Sequence, residues 1–149
     1  MLQRIQTLWM LLAAICVALT FNFSFYSGNV QIGSNGHEFR RLTAVPRYIN
    51  GSVGNILILI LTIVILGGIL VNIFNFKSRK KQLWITIGLV ILSLINLLLY
   101  YKASGSPNFV EGTYDLTAVL TLAIPILLIF AVRGIMRDEK LVKSADRLR

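Results

Sequence analysis

The chain has 149 residues, of which 56% are hydrophobic and 14% charged, and its mean hydropathy is +0.74. Soluble domains typically carry about 25% charged and about 45–50% apolar residues, so this composition excludes a soluble globular domain, a disordered tail and a disulfide-rich secreted module, and describes an integral membrane protein. Lys and Arg number 15 against 6 Asp and Glu, a net charge of +9; in a membrane chain such an excess marks cytoplasmic flanks before it suggests nucleic acid. The single cysteine, Cys16, and the single histidine, His37, exclude an intramolecular disulfide, a CxxC redox pair and a His/Cys metal site within one chain.

A membrane-crossing helix needs about 20 mostly apolar residues, within a range of about 17–25. In chain order, uncharged apolar segments of that length run over about residues 7–27, 53–76, 83–101 and 116–132. The first follows Arg4, as in a signal peptide, but it exceeds a typical h-region and no small-x-small cleavage site stands before the polar loop. Ile15 before Cys16 likewise breaks a lipoprotein acylation pattern. The segment therefore reads as a retained span. The second carries the core ILILILTIVILGGILV. The fourth is the shortest and contains Pro125. Membrane helices accommodate proline where neighbours satisfy the freed carbonyl, and a kink is expected there. The expected fold class is an all-α membrane protein with four transmembrane helices. Residues 1–132 form the transmembrane domain and 133–149 a basic amphipathic cytoplasmic tail.

The bias of Lys and Arg sets orientation. Arg4, the connection cations Lys77, Arg79, Lys80 and Lys81, and the tail cations Arg133, Arg137, Lys140, Lys143, Arg147 and Arg149 make 11 on one side, against Arg40, Arg41, Arg47 and Lys102 on the other. Both termini are thus expected in the cytoplasm, with outer loops at 28–52 and 102–115. In the first outer loop Asn29 to Ile32 alternate, Gly33-Ser34-Asn35-Gly36 carry turn chemistry, and His37 to Arg41 alternate again. Asn-Gly between alternating runs is the strongest short hairpin signal, so a small extracytoplasmic β-hairpin is expected. An isolated hairpin is marginal in water. The second outer loop, with Phe109 and Val110, is its expected neighbour.

The opening Met1-Leu2-Gln3-Arg4-Ile5-Gln6-Thr7-Leu8-Trp9 and the closing Arg137-Asp138-Glu139-Lys140-Leu141-Val142-Lys143-Ser144-Ala145-Asp146-Arg147-Leu148-Arg149 carry a resemblance that spans the chain. It resembles the uncharacterised four-helix inner-membrane family of Bacteroidota filed as domain of unknown function 4293. The resemblance implies four spans and an inner-membrane location in that phylum. It carries over no catalytic residues.

Ionisable side chains inside spans are usually functional, and these segments hold none. They hold asparagines instead: Asn55, Asn72, Asn75 and Asn96, with Asn22 near the outer end of the first helix. Asn72 and Asn75, three apart, are expected to share a helix face. Such residues either line a polar cavity or bond neighbouring helices at about 0.6–2 kcal/mol per contact, and the interhelical role is preferred. Gly67-Gly68 marks a close helix approach, with Ala13, Ala14 and Ala18 as a candidate facing surface. Trp9, Trp84, Tyr26, Tyr100 and Tyr101 lie near segment ends, as in an aromatic belt. Cys16 has no base beside it and reads as a packing residue. On the outer side stand His37, Glu38, Glu111 and Asp115. Adjacent His37 and Glu38 point to opposite faces of a strand and no nucleophile motif accompanies them. Ion pairing of Glu38 or Glu111 with Arg40, Arg41 or Arg47 is therefore preferred to catalysis. No catalytic, metal or cofactor-binding residue is assigned.

In the tail, Leu141, Val142, Ala145 and Leu148 fall at helical spacing, and Glu139 and Lys143 make a favourable i,i+4 pair. The fourth helix either continues beyond the membrane or bends at Gly134 into an amphipathic helix. Arg137, Lys140, Leu141, Lys143, Arg147, Leu148 and Arg149 are candidate contacts to the anionic inner leaflet, where each cation contributes about 1 kcal/mol, or to a protein partner's groove. RNA, including the ribosome, is a third candidate, but Asp138, Glu139 and Asp146 reduce the tail to +3, modest for phosphate binding. Lacking a nucleophile, a metal set, a carboxylate pair or a phosphate loop, the chain reads as a non-enzymatic accessory, scaffold or assembly subunit. The alternative is a small transporter or a lipid- or quinone-binding bundle that uses its asparagines. A chain truncated after Arg137 is expected to insert with four spans and both ends cytoplasmic, read by reporter fusions at each end. Ends on opposite sides of the membrane would refute the charge reading.

Overall fold

The computed structural model describes the backbone over residues 2–32, 36–42, 54–75, 78–105 and 109–146, and side chains over 6–28, 56–75, 78–105 and 112–139. In chain order the elements are helix α1 (Leu2–Asn22), strands β1 (Tyr26–Ile32) and β2 (Gly36–Leu42), helices α2 (Gly54–Phe74) and α3 (Arg79–Ser104), strand β3 (Phe109–Tyr114) and helix α4 (Leu116–Asp146). Three helices are long and apolar enough to cross a membrane: Ile56–Phe74, Arg79–Ser104 and Leu116–Glu139; Gln6–Asn22 is a shorter apolar helix. The helices form a bundle in which α1 packs on α2 and α4, and α3 on α2 and α4.

The sequence dictates which faces turn inward. On α2 the buried positions are Ile58, Thr62, Ile65, Ile69 and Asn72. On α3 they are Gln82, Thr86, Leu89, Ser93, Asn96, Tyr100 and Ser104. Steps of three and four give the spacing of about 3.5 residues that keeps one stripe facing a partner helix. Leu57, Ile60, Ile63, Trp84, Leu98 and Val119 are exposed. A soluble helix shows the reverse, with its apolar stripe inward. The apolar core that remains joins Met10, Ala13, Val17, Ile65, Ile69, Leu89, Leu128 and Ile135.

Close approach occurs where side chains are small. A Cβ on Gly68 would stand 2.6 Å from Leu89 Cδ2, so Gly68 admits α3. Of the α1 alanines expected to face this glycine pair, Ala13 and Ala14 are buried in the core cluster that also holds Ile65 and Ile69 of α2, whereas Ala18 is exposed. Gly67 faces open space. α4 runs through Pro125 and Gly134 as one helix to Asp146.

The first span is shorter than its apolar run. α1 ends at Asn22, and Tyr26 and Ser27 belong to β1 rather than to the helix. Strand pairing explains the difference: β1 sits between β2 and β3 in a three-stranded antiparallel sheet of order β2-β1-β3. The expected hairpin is present, with Ile32 opposite Gly36, and its turn lies outside the described residues. The expected neighbour pairs with it as a third strand, Tyr26 opposite Tyr114 and Gly28 opposite Gly112.

Asp115 fastens this sheet to the helices. Its backbone N–H donates to Phe25 O at 3.1 Å. Its carboxylate accepts from the Ser24 hydroxyl and from the Ser27 hydroxyl, while Thr117 donates to Ser24 O. Aromatic contacts complete the join. Phe25 stacks on Tyr100 with centroids 4.7 Å apart and meets Tyr114 edge-on at 5.9 Å. Tyr100, placed in the aromatic belt by sequence, is instead 1% exposed, because this stack draws it inside. A Cβ on Gly112 would stand 2.5 Å from the Tyr26 ring. Gly112→Ala is therefore expected to destabilise the fold by about 1–3 kcal/mol through overpacking, read as a lowered unfolding midpoint in detergent.

Candidate functional site

The polar side chains inside the bundle form the candidate site, in two groups. The first lies at the end of α2 and the start of α3. Asn72, 0% exposed, donates from Nδ2 to Thr86 Oγ1 at 2.8 Å and to Gln82 O at 3.5 Å. Gln82 Nε2 donates back to Asn72 O at 3.4 Å, and the Thr86 hydroxyl donates to Gln82 O. These bonds are reciprocal, so α2 and α3 are held in one register. Asn75 stands just beyond the last residue of α2, where its N–H still donates to Asn72 O at 3.2 Å, and its Oδ1 accepts from Ser78 Oγ at 3.0 Å.

At the same end, α1 and α4 are joined by Gln6 Nε2 donating to Asp138 Oδ2. Both residues are buried. A Cβ on Gly134 would stand 2.9 Å from Gln6 Cγ, so the glycine one turn before Asp138 makes room for the glutamine. Asp138 had counted only as a tail charge. Its chain neighbours Arg137 and Glu139, both charged, give no sign that it turns inward.

The second group lies toward the sheet. Asn96 Nδ2 donates to Thr62 Oγ1 at 3.2 Å, and the Thr62 hydroxyl donates to Ile58 O at 2.7 Å. Tyr100, four residues on along α3, is buried beside the hydroxyls of Thr62 and Thr20. Thr20, Gln82, Thr86 and Tyr100 joined no site on the sequence reading. The missed signal was the polar repeat Gln82, Thr86, Ser93, Asn96 at steps of three, four and seven inside an apolar run.

Asn55 lies in the first turn of α2, and its side chain falls outside the described residues. Arg137 is exposed on α4, level with the connection between α2 and α3. Lys140, Leu141 and Lys143 continue the α4 backbone with side chains outside the described residues, and Arg147, Leu148 and Arg149 lie outside them altogether. The side chains of His37, Glu38, Arg40, Arg41, Arg47 and Glu111 also fall outside, so their expected ion pairs are not described. Trp84 and Tyr101 are exposed near helix ends, whereas Trp9 is half-buried against Phe130, centroids 5.3 Å apart.

Polar residues inside, apolar residues outside and helices of membrane-crossing length define a helical membrane-type bundle capped by a small sheet. The chain belongs to the family described as domain of unknown function 4293 (DUF4293), whose sequence profile matches residues 2–148. No curated protein and no solved structure matches it.

The Gln6 to Asp138 bond has a direct test. Gln6→Leu leaves the buried carboxylate without its amide donor and is expected to cost about 1–3 kcal/mol. Asp138→Asn keeps an oxygen facing the amide and is expected to cost less. Thermal unfolding of the two variants in detergent gives the order; an unchanged midpoint in Gln6→Leu would show that the bond contributes nothing.

Proposed function

We propose that the chain is a four-span protein of the bacterial inner membrane, with both termini cytoplasmic and the sheet on the outer face. Its role is that of a non-catalytic accessory, scaffold or assembly subunit of a larger membrane complex. The exposed cations Lys80, Lys81, Arg133 and Arg137 lie at the end of the bundle opposite the sheet, which supports this orientation through the positive-inside bias. In it, α4 carries the basic C-terminal residues beyond the inner leaflet as a helix, placed for a cytoplasmic partner or for the anionic lipid surface.

The observation that carries the role is the use made of the intramembrane amides. The Nδ2 atoms of Asn72 and Asn96 bond the facing helix, at 2.8 Å and 3.2 Å. These amides hold the bundle together, and its two ends, a sheet and an extended basic helix, are left for contacts. The test is a mild-detergent pull-down of an N-terminally tagged copy from native membranes, with sizing and mass spectrometry. One partner at equal stoichiometry is expected. A lone particle of monomer or dimer mass would overturn the subunit role and favour the small-molecule bundle.

A further inference from the structure

We propose that the face of α4 bearing Arg133 and Arg137 holds one anionic glycerophospholipid, with its phosphate between the two guanidiniums and an acyl chain along the apolar residues that precede them. This site rests on the lipid contact offered for α4 above, and only the leaflet that supplies the lipid depends on the orientation given there.

Leu122, Ile126, Phe130, Arg133 and Arg137 follow at steps of three and four, so they lie along one stripe of a continuous helix, and all five are exposed. The stripe is apolar up to Phe130 and cationic from Arg133. From Leu116 to Arg133 the helix rises about 26 Å, against about 30 Å of hydrocarbon in a bilayer. The change from apolar to cationic therefore falls at the depth of the headgroups.

The two guanidiniums are like charges one turn apart, an arrangement that is unfavourable by itself. Among the described residues neither has a hydrogen bond or an ion pair. The carboxylates of this turn are placed elsewhere. Asp138 is turned inward onto Gln6, and Glu139, two residues past Arg137, lies on another side of the helix. The cationic pair is left for an anion from outside the chain. Trp9 of α1 borders the same stripe. Its ring meets Phe130 with centroids 5.3 Å apart, and its indole N–H has no hydrogen-bond partner among the described residues. A tryptophan so placed donates to a headgroup or ester oxygen while its ring stays in hydrocarbon.

The chemistry selects the lipid. Guanidiniums bind phosphate oxygens through paired N–H donors. A headgroup without an ammonium brings net negative charge to the two cations, whereas a zwitterionic one adds a third cation. A free phosphate makes no use of the apolar part of the stripe.

The test is native mass spectrometry of the full chain, purified in detergent and titrated with phosphatidylglycerol or phosphatidylethanolamine. One phosphatidylglycerol is expected to stay bound, with phosphatidylethanolamine about fivefold weaker for its added charge. Arg133→Gln and Arg137→Gln together should weaken phosphatidylglycerol about thirtyfold. Trp9→Phe, which keeps a ring and removes the N–H, should weaken it about fivefold. Lys102→Gln, at the sheet end, should leave it unchanged. Equal retention of the two lipids, or equal losses in the double arginine variant and in Lys102→Gln, would overturn the proposal. In native membranes, benzoylphenylalanine in place of Met136, exposed beside Arg137, should crosslink to phospholipid; crosslinking to a protein would overturn it. Binding in detergent is indifferent to sidedness. A reversed orientation would move the lipid to the other leaflet and leave the site standing, while lost binding would leave the orientation untouched.

Discussion

The bonds of Asn72 to Thr86 and of Asn96 to Thr62 set the rest of the bundle. Two purely apolar helices in lipid have little reason to choose one rotation over another, because acyl chains are as apolar as leucine. A polar stripe removes that freedom. Gln82, Thr86, Ser93 and Asn96 cannot face hydrocarbon without leaving donors and acceptors unmet, so α3 must turn that stripe toward the bundle. The same rotation sends Trp84, Ile91, Leu94 and Leu98 outward. It also brings Leu89, the apolar break in the stripe, against Gly68.

From that seam the geometry is carried to both ends. Toward the sheet, Tyr100 stacks on Phe25, and Phe25 meets Tyr114. The corner before β1 and the corner after β3 are then locked together by Asp115 with Ser24 and Ser27. At the opposite end, Gln6 and Asp138 close α1 on α4. The first and last helices are therefore joined at both ends, which fixes the direction in which α4 leaves the bundle. For the subunit role proposed above, a basic helix set at a defined angle is a better contact element than a flexible tail, because less ordering is required on binding.

Much of this was legible in the residues. Helix positions followed from uncharged apolar length, and the hairpin from Asn-Gly between alternating runs. The pairing of the second outer loop with the hairpin followed from the weakness of an isolated one. The misses share a cause: they depend on contacts distant in the chain. The end of α1 at Asn22 is set by strand pairing with residues 109–114, which helix propensity at Phe23 and Phe25 does not register. Tyr100 reads as an interfacial aromatic until Phe25 is brought beneath it. Asp138, between the charged Arg137 and Glu139, reads as solvated until Gly134 lets Gln6 reach it.

The most direct test of the account is the side of the membrane on which each end of the bundle lies. Single cysteines placed by Gly105→Cys, at the sheet end, and by Ser78→Cys, at the opposite end, in a Cys16→Ala background, can be probed with a membrane-impermeant maleimide on spheroplasts. The account predicts that the Gly105→Cys protein is labelled in intact spheroplasts and the Ser78→Cys protein only after the membrane is opened. Labelling in the reverse order, or equal labelling of both before lysis, would contradict it.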